Sequence, residues 1–82
     1  MNYAETVRAF IIDNFLFGEG EQLKEDTSFL ESGIVDSTGI LEVVAFIEET
    51  FDIRMLDDEL VPENLDSIAN VVSYILHKQT RL

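Results

Sequence analysis

Asp36-Ser37 is the pair of residues in this sequence whose types and spacing suit a chemical step. Gly33 stands three residues before Asp36, and glycine tolerates the positive-φ backbone of a tight turn. Asp36 is a strong helix N-cap residue, because its carboxylate accepts hydrogen bonds from the free N–H groups of the following turn. Ser37 then takes the first helical position with its side chain facing water. A hydroxyl at the positive end of a helix dipole suits a covalently attached phosphate.

The surrounding pattern resembles that of the acyl carrier protein family. The resemblance rests on Gly33-Ile34-Val35-Asp36-Ser37, on Leu41-Glu42, and on Glu48-Glu49-x-Phe51-x-Ile53. It covers nearly the whole chain: a first helix, a long loop, the Asp-Ser helix, a short turn with proline and a last helix. Thr38 and Gly39 depart from the family pattern, which usually has an aliphatic residue after the serine and often an acidic residue next. This departure concerns which partner enzymes recognise the chain.

The resemblance implies a free-standing carrier that is not an enzyme and has no catalytic residues. Ser37 would carry a 4′-phosphopantetheine arm, Asp36 would cap the helix and be recognised by the modifying enzyme, and Thr38 would flank the arm. A phosphopantetheinyl transferase would move the arm from coenzyme A to Ser37. Acyl or aminoacyl ligases and downstream synthases or transferases would then use cargo held on the arm as a thioester. The pattern leaves open whether that cargo is fatty acyl, polyketide or aminoacyl.

The charge distribution indicates a protein-docking surface around Ser37. Eight acidic residues and no Lys or Arg lie between Glu25 and Ile53. Charge of one sign destabilises a small fold by self-repulsion, but it also steers a protein towards basic partner surfaces. The alternative is an ordinary solvated surface. In the carrier family this helix is the recognition element, and the resemblance assigns partner contacts to Glu42 and Glu49.

Phe46 and Thr38 are the predicted apolar and polar contacts beside those two carboxylates. For Phe46 the alternative is a core position at the edge of the apolar stripe. Met55 and Ile68 are either core residues, the favoured interpretation, or contacts for an attached arm. No structural reason for Gly39 is visible in the sequence, and it costs about 1 kcal/mol relative to alanine inside a helix. A close approach by a partner or by the arm is one explanation.

Apolar periodicity predicts three long helices and one short helix, which form a small all-α four-helix bundle of acyl-carrier type without a sheet. The first runs from about residue 2 to residue 16, with Asn2 and Glu5 resembling a capping box, and Gly18 and Gly20 end it. The second runs from Ser37 to about Phe51. The short third helix opens at Pro62, and the last spans about 67–79 with Asp66 or Ser67 as its cap.

The predicted core uses one face of each long helix and several loop residues. Beyond the clear periodic positions, it includes Leu41 in the second helix and Leu76 in the last. The long loop is anchored by Leu23 and by the pair Phe29-Leu30, and residues 26–28 cap one short helical turn. Ile53, Met55 and Leu56 are expected to fill the core from the second connection.

The composition limits the function classes. The 82 residues suit one domain, 1–82, and 46% of them are hydrophobic, so a packed core is expected. The net charge of −12 disfavours nucleic acid and anionic membrane surfaces as partners. The sequence contains no cysteine, which excludes disulfides and thiolate metal sites. Without a membrane span or signal peptide, a cytoplasmic monomer is the expectation.

Other interpretations of the sequence are an adaptor and a hydrolase. An unmodified acidic helical adaptor that binds a basic protein surface would need the charge but not Ser37. A small hydrolase is disfavoured because no base lies near Ser37 in any clear motif, and His77 stands alone near the C-terminus. The acidic segments lack the spacing of a calcium-binding loop, and no metal site is predicted.

Overall fold

Four α-helices and one 3-10 turn make up the part of the chain that the computed structural model describes, residues 2–16, 18 and 23–80. Helix α1 spans Tyr3–Phe15, α2 spans Gly39–Phe51, α3 spans Pro62–Leu65 and α4 spans Ile68–Thr80. The 3-10 turn, Asp57–Glu59, lies between α2 and α3. The described residues contain no β-strand. The prediction of an all-α bundle with three long helices and one short helix is therefore confirmed.

Helix α1 begins at a side-chain cap. The Asn2 Oδ1 atom accepts a hydrogen bond from the Glu5 N–H at 3.1 Å, which satisfies one of the free donors of the first turn. At the other end, the Gly18 N–H donates to the Ile12 carbonyl at 3.0 Å and closes the last turn. Gly20, the second predicted helix-ending glycine, lies outside the described residues.

The core is formed by apolar side chains from all four helices and from both connections. The long loop contributes Leu23, Phe29 and Val35, each at most 2% exposed, so the described segment 23–35 of this loop takes part in the core. The buried apolar set is Val7, Ile11, Leu23, Phe29, Val35, Val43, Ile47, Phe51, Met55, Leu65, Ile68, Val71, Tyr74 and Ile75. Burial of this kind is the main stabilising term for a bundle of this size.

Three leucines that were predicted to be in the core, or to extend it, are exposed. Leu41 is 62% exposed, Leu56 is 55% exposed and Leu76 is 48% exposed. In α2 the buried row is Gly39, Val43, Ile47 and Phe51, spaced by four residues. Leu41 lies two residues from this row, which at 100° per residue places it on the other side of the helix. The apolar stripe of α2 is thus narrower than its composition suggests.

Two backbone carbonyls of the long loop accept hydrogen bonds from the long helices. The Arg8 guanidinium of α1 donates to the carbonyl of Leu23, next to its buried side chain. The Ala69 N–H of α4 donates to the Glu25 carbonyl at 2.9 Å. Leu23 is therefore a confirmed anchor of the loop.

Among the described helices, none combines the length and apolarity that a bilayer span needs.

Candidate functional site

A short helical turn, residues 28–33, directly precedes the site. The Ser28 Oγ atom accepts from the Glu31 N–H at 3.1 Å, as predicted for a cap at residues 26–28. The Gly33 N–H then donates to the Leu30 carbonyl at 3.2 Å, and Gly33 has φ +78°. Most L-residues are strained at that φ, so glycine at position 33 has the physical reason that the sequence suggested.

Val35 and Asp36 fix the chain immediately before Ser37. Val35 is 1% exposed, and its N–H donates to the Phe29 carbonyl at 3.1 Å. The Asp36 Oδ1 atom accepts a hydrogen bond from the Gly39 N–H at 2.6 Å, and the Asp36 carbonyl accepts from the Ile40 N–H at 3.0 Å. These are the two bonds that an N-cap residue makes.

Ser37 is exposed and lies in the turn that leads into α2. The sequence predicted that Ser37 is the first residue of the helix, whereas α2 begins two residues later, at Gly39. Residues 37–38 form a turn between the Asp36 cap and α2. A difference of one or two residues between a predicted and an assigned helix start is common. The serine hydroxyl is therefore accessible on a backbone that is held by hydrogen bonds on both sides.

Thr38 is also exposed and makes no side-chain capping bond. Its carbonyl accepts from the Leu41 N–H at 3.1 Å, within the first turn of the helix. Two hydroxyl side chains, those of Ser37 and Thr38, therefore stand next to each other at the start of α2.

Gly39 is buried, and it has an internal structural role that the sequence did not reveal. A Cβ atom at this position would lie 2.9 Å from Phe15 Cε1, 3.0 Å from Val35 Cγ1 and 3.2 Å from Asp36 Oδ1. The first two distances are below normal van der Waals contact between carbon atoms. The glycine thus allows α1 to pack closely against the start of α2, so a space reserved for a partner or an arm is not needed to explain it.

An apolar groove of about 180 Å³ opens beside Ser37. Its lining comes from the loop, from α2 and from the segment around α3, and consists of Leu30, Ser37, Ile40, Leu60, Val61, Pro62, Leu65 and Asp66. Pockets that enclose drug-sized ligands measure about 300–1,000 Å³, so this groove suits a short chain or part of a longer one. Sequence reasoning missed the contribution of residues 60–62, although the apolar run Leu60-Val61 before Pro62 was a usable signal.

The carboxylate of Asp66 holds the groove together. Asp66 Oδ1 accepts from the Leu30 N–H at 2.9 Å, Asp66 Oδ2 accepts from the Ser28 hydroxyl, and the Asp66 carbonyl accepts from the Phe29 N–H at 2.7 Å. The cap of α4 is Ser67, whose Oγ accepts from the Asn70 N–H at 3.1 Å. Of the two predicted cap candidates, Ser67 is therefore the one that caps α4, while Asp66 connects it to the loop.

The predicted partner contacts lie along α2 but differ in accessibility. Glu42 and Glu49 are exposed, two turns apart on the helix. Phe46 is half-buried and stacks on Phe10 of α1, with ring centroids 4.0 Å apart and an interplanar angle of 14°. The exposed Leu41, next to Glu42, is an apolar surface group that the sequence analysis assigned to the core.

Met55 and Ile68 are core residues. Met55 is 8% exposed and Ile68 is 1% exposed, and neither lines the groove beside Ser37. The Met55 N–H donates to Glu48 Oε2 at 2.9 Å, which shows that one of the α2 carboxylates holds the following connection. The packing interpretation favoured by the sequence is the one observed.

Within the described part of the chain, no group of three or more His, Asp or Glu side chains is arranged to hold a metal ion. His77 is exposed in the last turns of α4. The chemistry available beside the groove is therefore that of the Ser37 and Thr38 hydroxyls and of the neighbouring carboxylates of Asp36 and Asp66.

Comparisons with known proteins place this geometry in a family. No family model matches the chain. An acyl carrier protein from Akkermansia muciniphila is 41% identical over 71 residues, which cover 87% of this chain and 85% of the relative.

Two solved structures share the fold. The solution structure of a holo acyl carrier protein from Nitrosomonas europaea has a TM-score of 0.80 and 24% identity, and covers 99% of this chain and 100% of that chain. A chain from a crystal structure described as an FAD-dependent dehydrogenase has a TM-score of 0.74 and 28% identity, over 84% of this chain and 97% of that chain. The fold and the sequence agree over most of the length of this chain and of its acyl carrier relatives. This chain therefore belongs to the acyl carrier protein family and is a carrier protein, not an enzyme.

Proposed function

We propose that Ser37 is the attachment point for a 4′-phosphopantetheine arm on which this carrier holds its cargo. The observation that carries the proposal is the exposed Ser37 side chain, located between a hydrogen-bonded loop and α2 and beside an apolar groove. The thiol of such an arm holds acyl or aminoacyl cargo by forming a thioester with it. Tethering then raises the effective concentration of that cargo at each partner enzyme.

The residues around Ser37 fit a phosphodiester and a chain. The N-terminus of the 13-residue helix α2 favours a negative group by about 0.3–1 kcal/mol. The Thr38 hydroxyl is a second donor within the same turn. The Asp36 carboxylate opposes the phosphate by a comparable amount when solvated. Because Asp36 Oδ1 accepts from the Gly39 N–H, we assign Asp36 to capping the helix. Its recognition by the transferase is proposed from the family resemblance.

The groove gives the attached chain an apolar surface next to Ser37. Leu30, Ile40 and Leu65 line it, and together with residues 60–62 they make most of its surface apolar. Its volume of about 180 Å³ suits part of an arm or a short apolar cargo. This fit supports an attached chain at Ser37 rather than an unmodified serine.

In the loading reaction, the Ser37 oxygen attacks the phosphorus of coenzyme A that bears the pantetheine, and a new O–P bond forms. The phosphoanhydride bond breaks, and adenosine 3′,5′-bisphosphate leaves. The proton of the hydroxyl passes to a base. We assign that base to the transferase, because the Asp36 carboxylate beside Ser37 already accepts the Gly39 N–H as the helix cap.

Glu42 and Glu49 form the proposed docking surface for the transferase, for a ligase and for downstream synthases or transferases. Both are exposed on α2, and no Lys or Arg lies between Glu25 and Ile53 to neutralise them. Phe46 contributes only the part of its ring that Phe10 leaves uncovered, and Leu41 adds an exposed apolar group beside Glu42. Basic partner surfaces complement this face.

The test is the mass of the intact protein after incubation with coenzyme A and a permissive phosphopantetheinyl transferase. We expect one phosphopantetheine on the wild-type protein and on Ser73→Ala, an exposed serine of α4 that serves as a matched control. We expect none on Ser37→Ala, which should stay folded. An unmodified wild-type protein, or equal modification of Ser37→Ala, would contradict the proposal. An unmodified wild-type protein that still binds a basic protein would instead favour the acidic adaptor.

A further inference from the structure

We propose that Gly39 and Phe15 form a positioning contact that sets where the Ser37 hydroxyl is presented to the loading enzyme. This inference rests on the proposed function, because it concerns how well Ser37 is loaded. Neither residue touches the incoming group, so both act through the turn that carries Ser37. The proposal explains why the helix has a glycine where the resemblance leads one to expect a larger residue.

The constraint at position 39 is steric rather than conformational. Gly39 is a helical residue, and its φ lies outside the left-handed region, so its backbone would admit alanine. Alanine also has the higher helix propensity of the two residues. What opposes alanine is the lack of room for a Cβ, which would lie 2.9 Å from the Phe15 ring.

The neighbours of that missing Cβ connect the contact to Ser37. Two of the three nearest atoms belong to Val35 and Asp36, the two residues that precede Ser37 in the chain. Asp36 Oδ1, at 3.2 Å from the missing Cβ, is the same oxygen that accepts the Gly39 N–H. Any side chain at position 39 must therefore displace the Phe15 ring, or else Val35 and the Asp36 cap, which fix the turn that carries Ser37.

The Phe15 ring is held in place by its own packing. Phe15 is the last residue of α1, is half-buried, and packs edge-to-face on Phe10 with ring centroids 6.0 Å apart. Phe10 in turn stacks on Phe46 of α2 at 4.0 Å. Because this chain of rings resists displacement, we infer that the turn around Ser37 shifts when position 39 gains a side chain.

A shift of the turn affects the chemical step more than docking. Group transfer requires the attacking oxygen close to the phosphorus and in line with the leaving group, and a displacement of about 1 Å can lower the rate on the order of a hundredfold. The docking groups proposed on α2, Glu42 and Glu49, lie at the exposed surface and stay in place. Loss of rate should therefore appear in kcat and not in the KM for the carrier.

The experiment is a double-mutant cycle on the full chain with Gly39→Ala, Phe15→Leu and the double variant. Phe15→Leu removes the ring atom that the new Cβ would meet. The steady-state rate of loading by a phosphopantetheinyl transferase, at saturating coenzyme A, gives kcat and KM for each carrier. The melting temperature and the amide NMR signal of Ser37 in the unloaded proteins report on folding and on the position of the turn. Thr50→Ala, exposed in the last turn of α2, controls for helix propensity.

We expect Gly39→Ala to lower kcat about tenfold while its KM stays within about twofold of the wild-type value. Its Ser37 amide signal should move, and the double variant should return both the signal and kcat most of the way to the wild-type values. Thr50→Ala should load like the wild type. A wild-type kcat for Gly39→Ala, or a double variant no faster than Gly39→Ala, would overturn the inference. If Gly39→Ala fails to fold, recovery of loading by the double variant still supports it, and failure of that recovery opposes it. An unloaded wild-type protein would instead reject the proposed function itself.

Discussion

Asp66 Oδ1 accepts a hydrogen bond from the Leu30 N–H at 2.9 Å, although the two residues are 36 positions apart in the sequence. The second carboxylate oxygen accepts from the Ser28 hydroxyl. One side chain at the start of α4 therefore fixes the loop that leads to Ser37. This bond and the burial of Phe29 make the segment just before Ser37 part of the packed bundle.

Replacement of Asp66 should destabilise the protein. Asp66→Ala leaves the Leu30 N–H and the Ser28 hydroxyl without their acceptor, and hydrogen bonds to charged groups contribute about 1.5–3 kcal/mol. We expect a loss of about 2 kcal/mol, or a fall in Tm of about 10 °C for a domain of this size. Asp66→Asn retains one acceptor and should lose about half as much. Thermal unfolding followed by circular dichroism measures both.

Asp58→Asn, an exposed substitution in the 3-10 turn, is the control for the change of charge. It should leave Tm unchanged or slightly raised, because the protein carries a net charge of −12. A Tm for Asp66→Ala equal to that of Asp58→Asn would show that the Asp66 hydrogen bonds contribute little.

Stability should depend on pH through Glu59. Its carboxylate accepts from the Leu56 N–H at 2.8 Å and pairs with Lys78 Nζ at 3.0 Å, and these two contacts lower the pKa of Glu59 below its usual value of 4.5. A lowered pKa in the folded state adds stability that is complete above pH 4.5 and is lost as pH falls through the lower, folded value. The groups around Glu59 include Tyr74, whose pKa is raised by burial and by the Glu59 carboxylate.

The measurement compares the wild-type protein with Glu59→Gln between about pH 3 and pH 7. The wild-type protein should be more stable by about 1 kcal/mol at neutral pH, since both ion-pair side chains are less than one-fifth exposed. That difference should shrink steadily below pH 4.5. Acid also relieves like-charge repulsion in both proteins, and this effect cancels when their stabilities are subtracted. A difference that is constant with pH would reject ionisation of Glu59 as its source.

Charge reversal on α2 should slow docking without affecting the fold. With Glu42→Lys and Glu49→Lys together, we expect kcat/KM for loading to fall about tenfold at low ionic strength, because attraction to a basic enzyme surface is weakened. The loss should appear in KM and diminish as salt is added. Asp13→Lys, on the exposed face of α1, makes the same type of charge change away from α2 and should have a much smaller effect. If Asp13→Lys, which makes half the charge change, had half the effect of the double variant on the logarithm of kcat/KM, only net charge would matter.

Added salt should stabilise the protein. With 17 acidic residues against 5 basic ones, screening of like charges favours the compact state. We expect Tm to rise with sodium chloride, and to rise at lower concentrations with magnesium or calcium chloride. Because the described residues offer no metal cluster, the two divalent ions should act alike. A much larger rise with one of them would indicate a specific site, and an unchanged Tm would argue against strong self-repulsion.

The parts of the structure that were predictable from the sequence are those fixed by short-range rules. Pro62 begins α3, Asn2 caps α1, and the apolar periodicity locates the long helices, because each signal lies within one or two turns of its effect. Ser37 was predicted as the attachment site from its flanking residues, and the structure shows it exposed beside a groove.

What the sequence could not show depends on contacts between distant segments. The role of Gly39 is set by Phe15, 24 residues earlier in the sequence, and the role of Asp66 by the loop around Leu30. The exposure of Leu41, which was predicted to be in the core, depends on which row of α2 faces α1 and α4. Composition gives the number of apolar residues on a helix but not the width of the neighbouring surface that covers them.

The size of the groove beside Ser37 has a consequence for how readily cargo passes to an accepting enzyme. If the attached chain lies in about 180 Å³ of apolar space, a cargo longer than that space must leave its far end in water. Every added methylene beyond the limit is then hydrated in the free carrier and sheltered only inside an enzyme. Long cargo should therefore be handed on more readily than short cargo, and the affinity of an accepting enzyme should increase with chain length only beyond that point.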